Sequence, residues 1–182
     1  MSEASFARIG QPVPAFTLAS TSSLDTLDQP FVSAEARGRW LVLVFYPLDF
    51  TFVCPTELRG FAALHEAFAA EEAVVAGISC DSVYSHRAWI QAPLDQGGLG
   101  PLPFPLLADP THAVSRMFGV LDEAAGHPFR ATAILDPEGV LVSLTVNAGD
   151  VGRSASETLR TLQAYRSGLR CPLDWAPGEA GV

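Results

Sequence analysis

The stretch Phe45-Tyr46-Pro47-Leu48-Asp49-Phe50-Thr51-Phe52-Val53-Cys54-Pro55-Thr56-Glu57 joins a wholly apolar run, residues 40–46, to a helical pattern that begins near Pro55. A near-continuous β-rich run of this kind suits a strand buried on both faces, and so a central one. Pro55 fits the first turn of a helix, and Glu57 puts a carboxylate where the first turn favours it. The junction therefore delivers Cys54 to a helix N-terminus. A sulfur there faces unpaired backbone N–H groups and the positive end of the helix dipole, and both favour thiolate over thiol.

Working outward, residues 55–70 carry Leu58, Phe61, Ala62, Phe68 and Ala69 at intervals near 3.6, with Arg59 and Glu66 on the other side, which predicts one helix. Residues 73–79 return to a strand, and residues 85–92 form a short helix that Pro93 ends. The Gly- and Pro-rich residues 95–105, including Gly97-Gly98-Leu99-Gly100, read as a loop before a short strand at 104–107. Asp109-Pro110 caps and opens a helix over 111–118, stopped by Gly119. Strands at 131–135 and 140–146 make a hairpin through Asp136-Pro137-Glu138-Gly139. Ser154 and Glu157 form a capping box for a last helix that runs to about Ser167, with Gly168 just past its end. Ahead of all this, short extended segments broken by Pro12, Pro14, Pro30 and Gly38 read as an N-terminal extension.

The order β-α-β-α, a further β-α unit and then ββ-α describes a layered α/β domain whose parallel strands are followed by an antiparallel hairpin. This is a thioredoxin-like three-layer arrangement with a mixed central sheet and an extra unit inserted. The domain is expected to span residues 1–167, with a C-terminal tail over 168–182. Cys54 sits where the thioredoxin redox motif would lie, but Cys54-Pro55-Thr56-Glu57 has a carboxylate in place of a second cysteine, so ordinary C-x-x-C dithiol exchange is excluded.

Composition narrows the chemistry further. The 182 residues are 48% hydrophobic and 17% charged, enough for one domain with a proper core, and no window approaches ~18 uninterrupted apolar residues. A net charge of −9 argues against nucleic acid and against anionic membranes. All eleven basic residues are arginine, which rules out Schiff-base and lysine-base chemistry. The cation that tunes a thiol must then be a guanidinium or a histidine. Three cysteines, Cys54, Cys80 and Cys171, do not make a secreted disulfide scaffold, and residues 1–10 lack the layout of a secretory signal, so a reducing cytoplasm is expected. The four histidines show no metal-ligand spacing, so no metal is expected. Cys80 ends an apolar run and reads as a core or loop thiol.

The motif Pro47-x-x-x-Thr51-x-x-Cys54, the wider run from Phe45 to Glu57, and Cys171-Pro172 with Trp175 and Pro177-Gly178 resemble the typical two-cysteine peroxiredoxins. The bacterial alkyl hydroperoxide reductase type is the best match. The resemblance extends over almost the whole chain, including residues 79–89, 97–100, 129–139 and 151–160. It implies a thiol-dependent peroxidase without cofactor, acting on hydrogen peroxide and organic hydroperoxides. It also implies roles. Cys54 is the peroxidatic nucleophile and Cys171 the resolving thiol; Arg130 stabilises the thiolate and the peroxide oxygens; Thr51 offers the peroxide a hydroxyl; Pro47 shields the sulfur; Glu57 and Arg153 orient Arg130.

Spacing alone allows an intrachain or an interchain disulfide between Cys54 and Cys171. The resemblance favours the interchain form in an antiparallel homodimer, five of which often close into a decamer, with a thioredoxin-like or flavoprotein disulfide reductase reopening the bond. The glycine motif at residues 97–100 is present, but no further helix with a Tyr-Phe pair follows Cys171. In the family those two features together promote overoxidation, so a comparatively robust enzyme is expected. Two other readings stand beside this one: a one-cysteine peroxidase with Cys171 idle, and a ring-forming holdase or redox-signalling protein.

Overall fold

The computed structural model describes residues 6–182. Its strands and helices, in chain order, are β1 (Thr17–Ser20), β2 (Phe31–Val32), β3 (Trp40–Phe45), α1 (Cys54–Ala63), α2 (His65–Ala70), β4 (Ala73–Ser79), α3 (Val83–Gln91), β5 (Leu106–Ala108), α4 (Ala113–Met117), β6 (Leu121–Asp122), β7 (His127–Pro128), β8 (Arg130–Leu135), β9 (Leu141–Asn147) and α5 (Ala155–Ser167). The main sheet runs β2-β1-β5-β4-β3-β8-β9. Strands β3, β4 and β5 are parallel, and β8 and β9 follow as the antiparallel hairpin. This is the thioredoxin-like mixed sheet, and the N-terminal extension supplies its far edge through β1 and β2.

β3 is central and buried on both faces because successive side chains alternate. Leu41, Leu43 and Phe45 pack with Val114 and Phe118 and with the N-terminal Val13 and Phe16. Val42, Val44 and Tyr46 pack on the other face with Leu58, Phe61, Phe68, Trp89 and Leu162. Helices α1, α2, α3 and α5 thus form one outer layer, while α4 and the N-terminal segment form the other.

Three local expectations need correction. The helix over residues 55–70 is two helices, because Leu64 leaves helical geometry at φ −103°, ψ 10°. No Pro or Gly marks that break, so apolar periodicity runs straight through it. The helix expected over 111–118 begins only at Ala113, since His112 adopts a left-handed φ of 61°. Asp109 still caps it, accepting from Ser115 N at 2.8 Å and from Val114 N at 3.3 Å. A small hairpin, β6–β7, was not expected; Asp122 Oδ1 turns it by accepting from Ala124 N and Ala125 N.

Candidate active site

Strand register brings the site together. Phe45, at the end of β3, lies opposite Ala131 of β8, so Arg130 stands beside the point where the 47–53 loop leaves the sheet. That loop returns the chain to Cys54, the first residue of α1, with Pro55 in the first turn and Val53 O accepting from Thr56 N and Glu57 N. Cys54 is fully buried and Arg130 is 4% exposed. Arg130 Nη1 donates to Cys54 Sγ at 3.3 Å and to Glu57 Oε2 at 2.7 Å, while its Nε donates to Gly149 O at 2.6 Å. Burial works against the guanidinium charge, but the Cys54 sulfur and the Glu57 carboxylate outweigh it and raise the arginine's pKa.

Glu57 is the hub of this cluster. Its Oε1 accepts from Arg153 N at 2.7 Å and Arg153 Nε at 2.8 Å, and its Oε2 accepts from Arg153 Nη2 at 3.0 Å as well as from Arg130. Arg153 Nη1 in turn donates to Ala131 O and Thr132 Oγ1. Burial would raise the Glu57 pKa, but hydrogen bonds and charge from Arg153, then the charge of Arg130, hold it below the usual carboxylate range. Each side chain here is at most 5% exposed, so the charges survive through mutual pairing.

Pro47 is buried and Thr51 half-buried. Thr51 Oγ1 donates to Leu48 O at 2.8 Å. Between them, Phe50 sits at φ +54°, a left-handed conformation that costs a non-glycine residue energy. A buried network holds the loop in that shape. Asp49 accepts from Tyr46 Oη at 2.9 Å and Ser85 Oγ at 2.8 Å, lies 2.8 Å from His86 Nδ1, and its backbone N donates to Asp81 Oδ2 at 3.0 Å. Burial first, then the Asp49 carboxylate, pushes the Tyr46 phenol well above its ordinary range, so it remains a donor. Sequence reasoning missed this support. Asp49 lies in the opening stretch, but its partner His86 is 37 positions away.

The structure brings Cys54, Arg130, Glu57 and Arg153 together, with Pro47 and Thr51 on the adjoining loop. Cys171 lies elsewhere. All three cysteines are free thiols, and the polar contacts of Cys171 Sγ are with Ser167 Oγ, Ala164 O and Leu169 O of α5 and the tail. The 168–182 tail is itself folded, with Trp175 buried, its Nε1 donating to Glu179 O and its carbonyl accepting from Arg160 Nη1 at 2.9 Å. Cys80 differs again: burial outweighs the opposing Ser115 hydrogen bond and, with smaller help from Asp109 and Asp81, pushes its thiol up to about 11. Cys80 is therefore expected to stay reduced near neutral pH when peroxide oxidises the protein, and peptide mass mapping checks this. Among the described residues no three His, Cys, Asp or Glu side chains converge where a metal ion could be held, and no helix is long and apolar enough to cross a membrane.

A lone buried thiol opening the helix after the central strand of a thioredoxin-like sheet, and bonded to a charge-clamped guanidinium, defines a thiol-dependent peroxidase. A model of the AhpC/TSA family matches residues 9–144, and the chain belongs to that family. It is 46% identical over 176 residues to peroxiredoxin tpx1 of Schizosaccharomyces pombe, covering 94% of this chain and 91% of that protein. It is equally 46% identical over 177 residues to peroxiredoxin-2 of Rattus norvegicus, covering 95% and 88%. Among solved structures, the reduced 2-Cys peroxiredoxin of Plasmodium vivax superposes with a TM-score of 0.89 at 33% identity, over 94% of this chain and 91% of that one. Mycobacterium tuberculosis AhpC superposes with a TM-score of 0.77 at 36% identity, over 88% and 99%.

Proposed function

We propose that Cys54 is the peroxidatic thiol and Cys171 the resolving thiol of a cycle that reduces hydrogen peroxide and organic hydroperoxides. The observation that carries this reading is the Arg130 guanidinium 3.3 Å from a fully buried Cys54 sulfur at the start of α1. The Cys54 thiolate attacks one peroxide oxygen and the O–O bond breaks. The sulfur keeps that oxygen as sulfenic acid, and the leaving oxygen takes a proton and departs as water or alcohol. Arg130 stabilises the thiolate and the charge that develops on the peroxide oxygens. Glu57 and Arg153 hold the guanidinium in place. Thr51 has its proton committed to Leu48 O, which leaves its oxygen to accept the O–H of the hydroperoxide. Pro47 screens the sulfur from bulk water.

Cys171 then attacks the sulfenic sulfur, forming a disulfide and releasing water. Because Cys54 is fully buried, and a disulfide requires Cα atoms about 4.4–6.8 Å apart, the first turn of α1 must unwind for this step. The bond is intersubunit, in an antiparallel homodimer. Two features support assembly: β9 ends the sheet order, with no strand paired to its outer edge beyond Leu141 among the described residues, and Phe52, Phe50 and Leu48 are exposed beside the site. A thioredoxin-like or flavoprotein reductase in the cytoplasm reopens the disulfide, and the dimers close into a decamer that sedimentation velocity would detect.

The test is Cys171→Ser. With one equivalent of hydrogen peroxide, the wild type is expected to run as a disulfide-linked dimer on a non-reducing gel. The variant is expected to run as a monomer carrying a trappable sulfenic acid on Cys54. A linked dimer that persists in the variant removes Cys171 from the cycle.

A further inference from the structure

We propose that Arg160 is a positioning residue of the resolving step: it closes the loop that carries Cys171 and places a positive charge in the cavity where the Cys171 sulfur reacts. This rests on the resolving role given to Cys171. Two sets of contacts meet at that cavity, which measures about 440 Å3 and has Arg160, Thr161, Tyr165, Leu169 and Cys171 in its wall.

The first set is mechanical. The chain leaves α5 at Ser167, turns through Gly168 at a left-handed φ of 66°, and passes Cys171 before it reaches Trp175. Trp175 is 3% exposed, and Arg160 Nη1 donates to its carbonyl at 2.9 Å, so a residue of α5 closes the far end of the loop that bears Cys171. The tail is clasped on its own account as well. Trp175 N donates to Pro172 O at 3.2 Å, Ala176 N to Glu179 Oε2 at 2.8 Å, and Val182 N to Arg170 O at 2.9 Å. Glu157 aims the guanidinium: its two oxygens accept from Arg160 Nε and Nη2 at 2.7 Å each, which leaves Nη1 for the tail. Cys171 is half-buried in the cavity wall, so the unwound Cys54 segment reaches it while the tail stays folded.

The second set is chemical. The polar neighbours of Cys171 Sγ are acceptors: Ala164 O at 3.7 Å, Leu169 O at 3.8 Å, and Ser167 Oγ at 3.7 Å, whose own proton goes to Ala164 O at 2.7 Å. None of them can donate to the thiolate that must attack. Among the described residues, Arg160 is the one charged side chain that lines the cavity. Hydrogen bonding from Glu157 outweighs partial burial and, with the charges of Glu157, the Cys171 sulfur and Asp174, raises the arginine's pKa. In the step itself the Cys171 thiolate attacks the sulfenic sulfur of Cys54. The S–S bond forms, the S–O bond breaks, and the departing oxygen takes a proton and leaves as water. A cation raises the share of thiolate in full but lowers its nucleophilicity only by a Brønsted factor of about 0.4–0.5, so attack becomes faster.

A single turnover with one equivalent of hydrogen peroxide, quenched at intervals with dimedone and N-ethylmaleimide, separates Cys54 sulfenic acid from linked dimer. Arg160→Met is expected to slow linking about three- to tenfold, the part of a charge-assisted contact that survives the change in nucleophilicity. Sulfenic acid forms at the wild-type rate, because the hydrogen bonds of Arg160 go to Glu157 and Trp175 and to none of Cys54, Arg130, Glu57 or Arg153. Arg160→Lys restores the charge without the fork and should recover most of the linking rate. Hydrogen exchange over residues 171–176 in the reduced protein reads the tail separately, and protection should fall in Arg160→Met. A wild-type linking rate in Arg160→Met overturns the proposal; equal slowing in Arg160→Lys and Arg160→Met overturns the role of the charge, and unchanged exchange overturns the closure of the loop. If Cys171→Ser still forms the linked dimer, the resolving role fails instead, and the exchange measurement still decides the closure.

Discussion

Replacing Arg130 with methionine is expected to lower the second-order rate constant for hydrogen peroxide by about 10²–10³-fold, the usual cost of removing one preorganised donor to developing charge. The substitution takes away the guanidinium that donates to Cys54 Sγ at 3.3 Å and roughly preserves side-chain length. The Glu57 carboxylate keeps its three bonds from Arg153, so the first turn of α1 stays anchored and the loss is electrostatic rather than a collapse of the site. A lysine at this position restores the charge but cannot reach Cys54, Glu57 and Gly149 O together, and should recover only part of the rate. Stopped-flow oxidation of the reduced protein measures each case. A wild-type rate in Arg130→Met would remove Arg130 from the chemistry.

Glu57→Gln is expected to have the largest effect on stability, about 3–5 kcal/mol, because it leaves buried guanidinium charge uncompensated. Both carboxylate oxygens are fully used: Oε1 takes two donors of Arg153, and Oε2 takes one donor each from Arg130 and Arg153. An amide offers one oxygen, and its NH2 group opposes an arginine donor where Oε2 or Oε1 stood. For a chain of this length the loss corresponds to a fall in Tm of roughly 10 °C, and the peroxide rate should drop as Arg130 loses its orientation.

The pH dependence has a definite sign. Burial would raise the Glu57 pKa, but Arg153 and then Arg130 lower it further than burial raises it. The ionised carboxylate therefore stabilises the fold fully above the unfolded carboxylate pKa, and that contribution is lost as pH falls through the lower folded value. Denaturant melts should show the gap between wild type and Glu57→Gln at neutral pH narrowing below about pH 4. A gap that stays constant into acid would mean that the charge of Glu57 is not what holds the cluster.

The opening stretch was legible because its signals are local. The unbroken apolar run of β3, the proline in the first turn of α1 and the position of Cys54 all follow from side chains a few residues apart. The β-α order and the hairpin before α5 were legible for the same reason. The break at Leu64 was not, since nothing in residues 61–68 departs from good helix-forming chemistry. Family resemblance singled out Arg130, Glu57 and Arg153, but no spacing in the chain could have paired them.

Those pairings span 76 positions between Cys54 and Arg130 and 96 between Glu57 and Arg153, and they exist because β8 lies beside β3 in one particular register. The Asp49–His86 network, spanning 37 positions, carries no mark in local pattern either. Sequence thus settles what a short segment must do to satisfy its own backbone and apolar face: strand, turn, helix, and a thiol at the seam. Which charges meet that thiol, and what holds the loop before it, depend on contacts between segments that share no periodicity and come together only when the sheet closes.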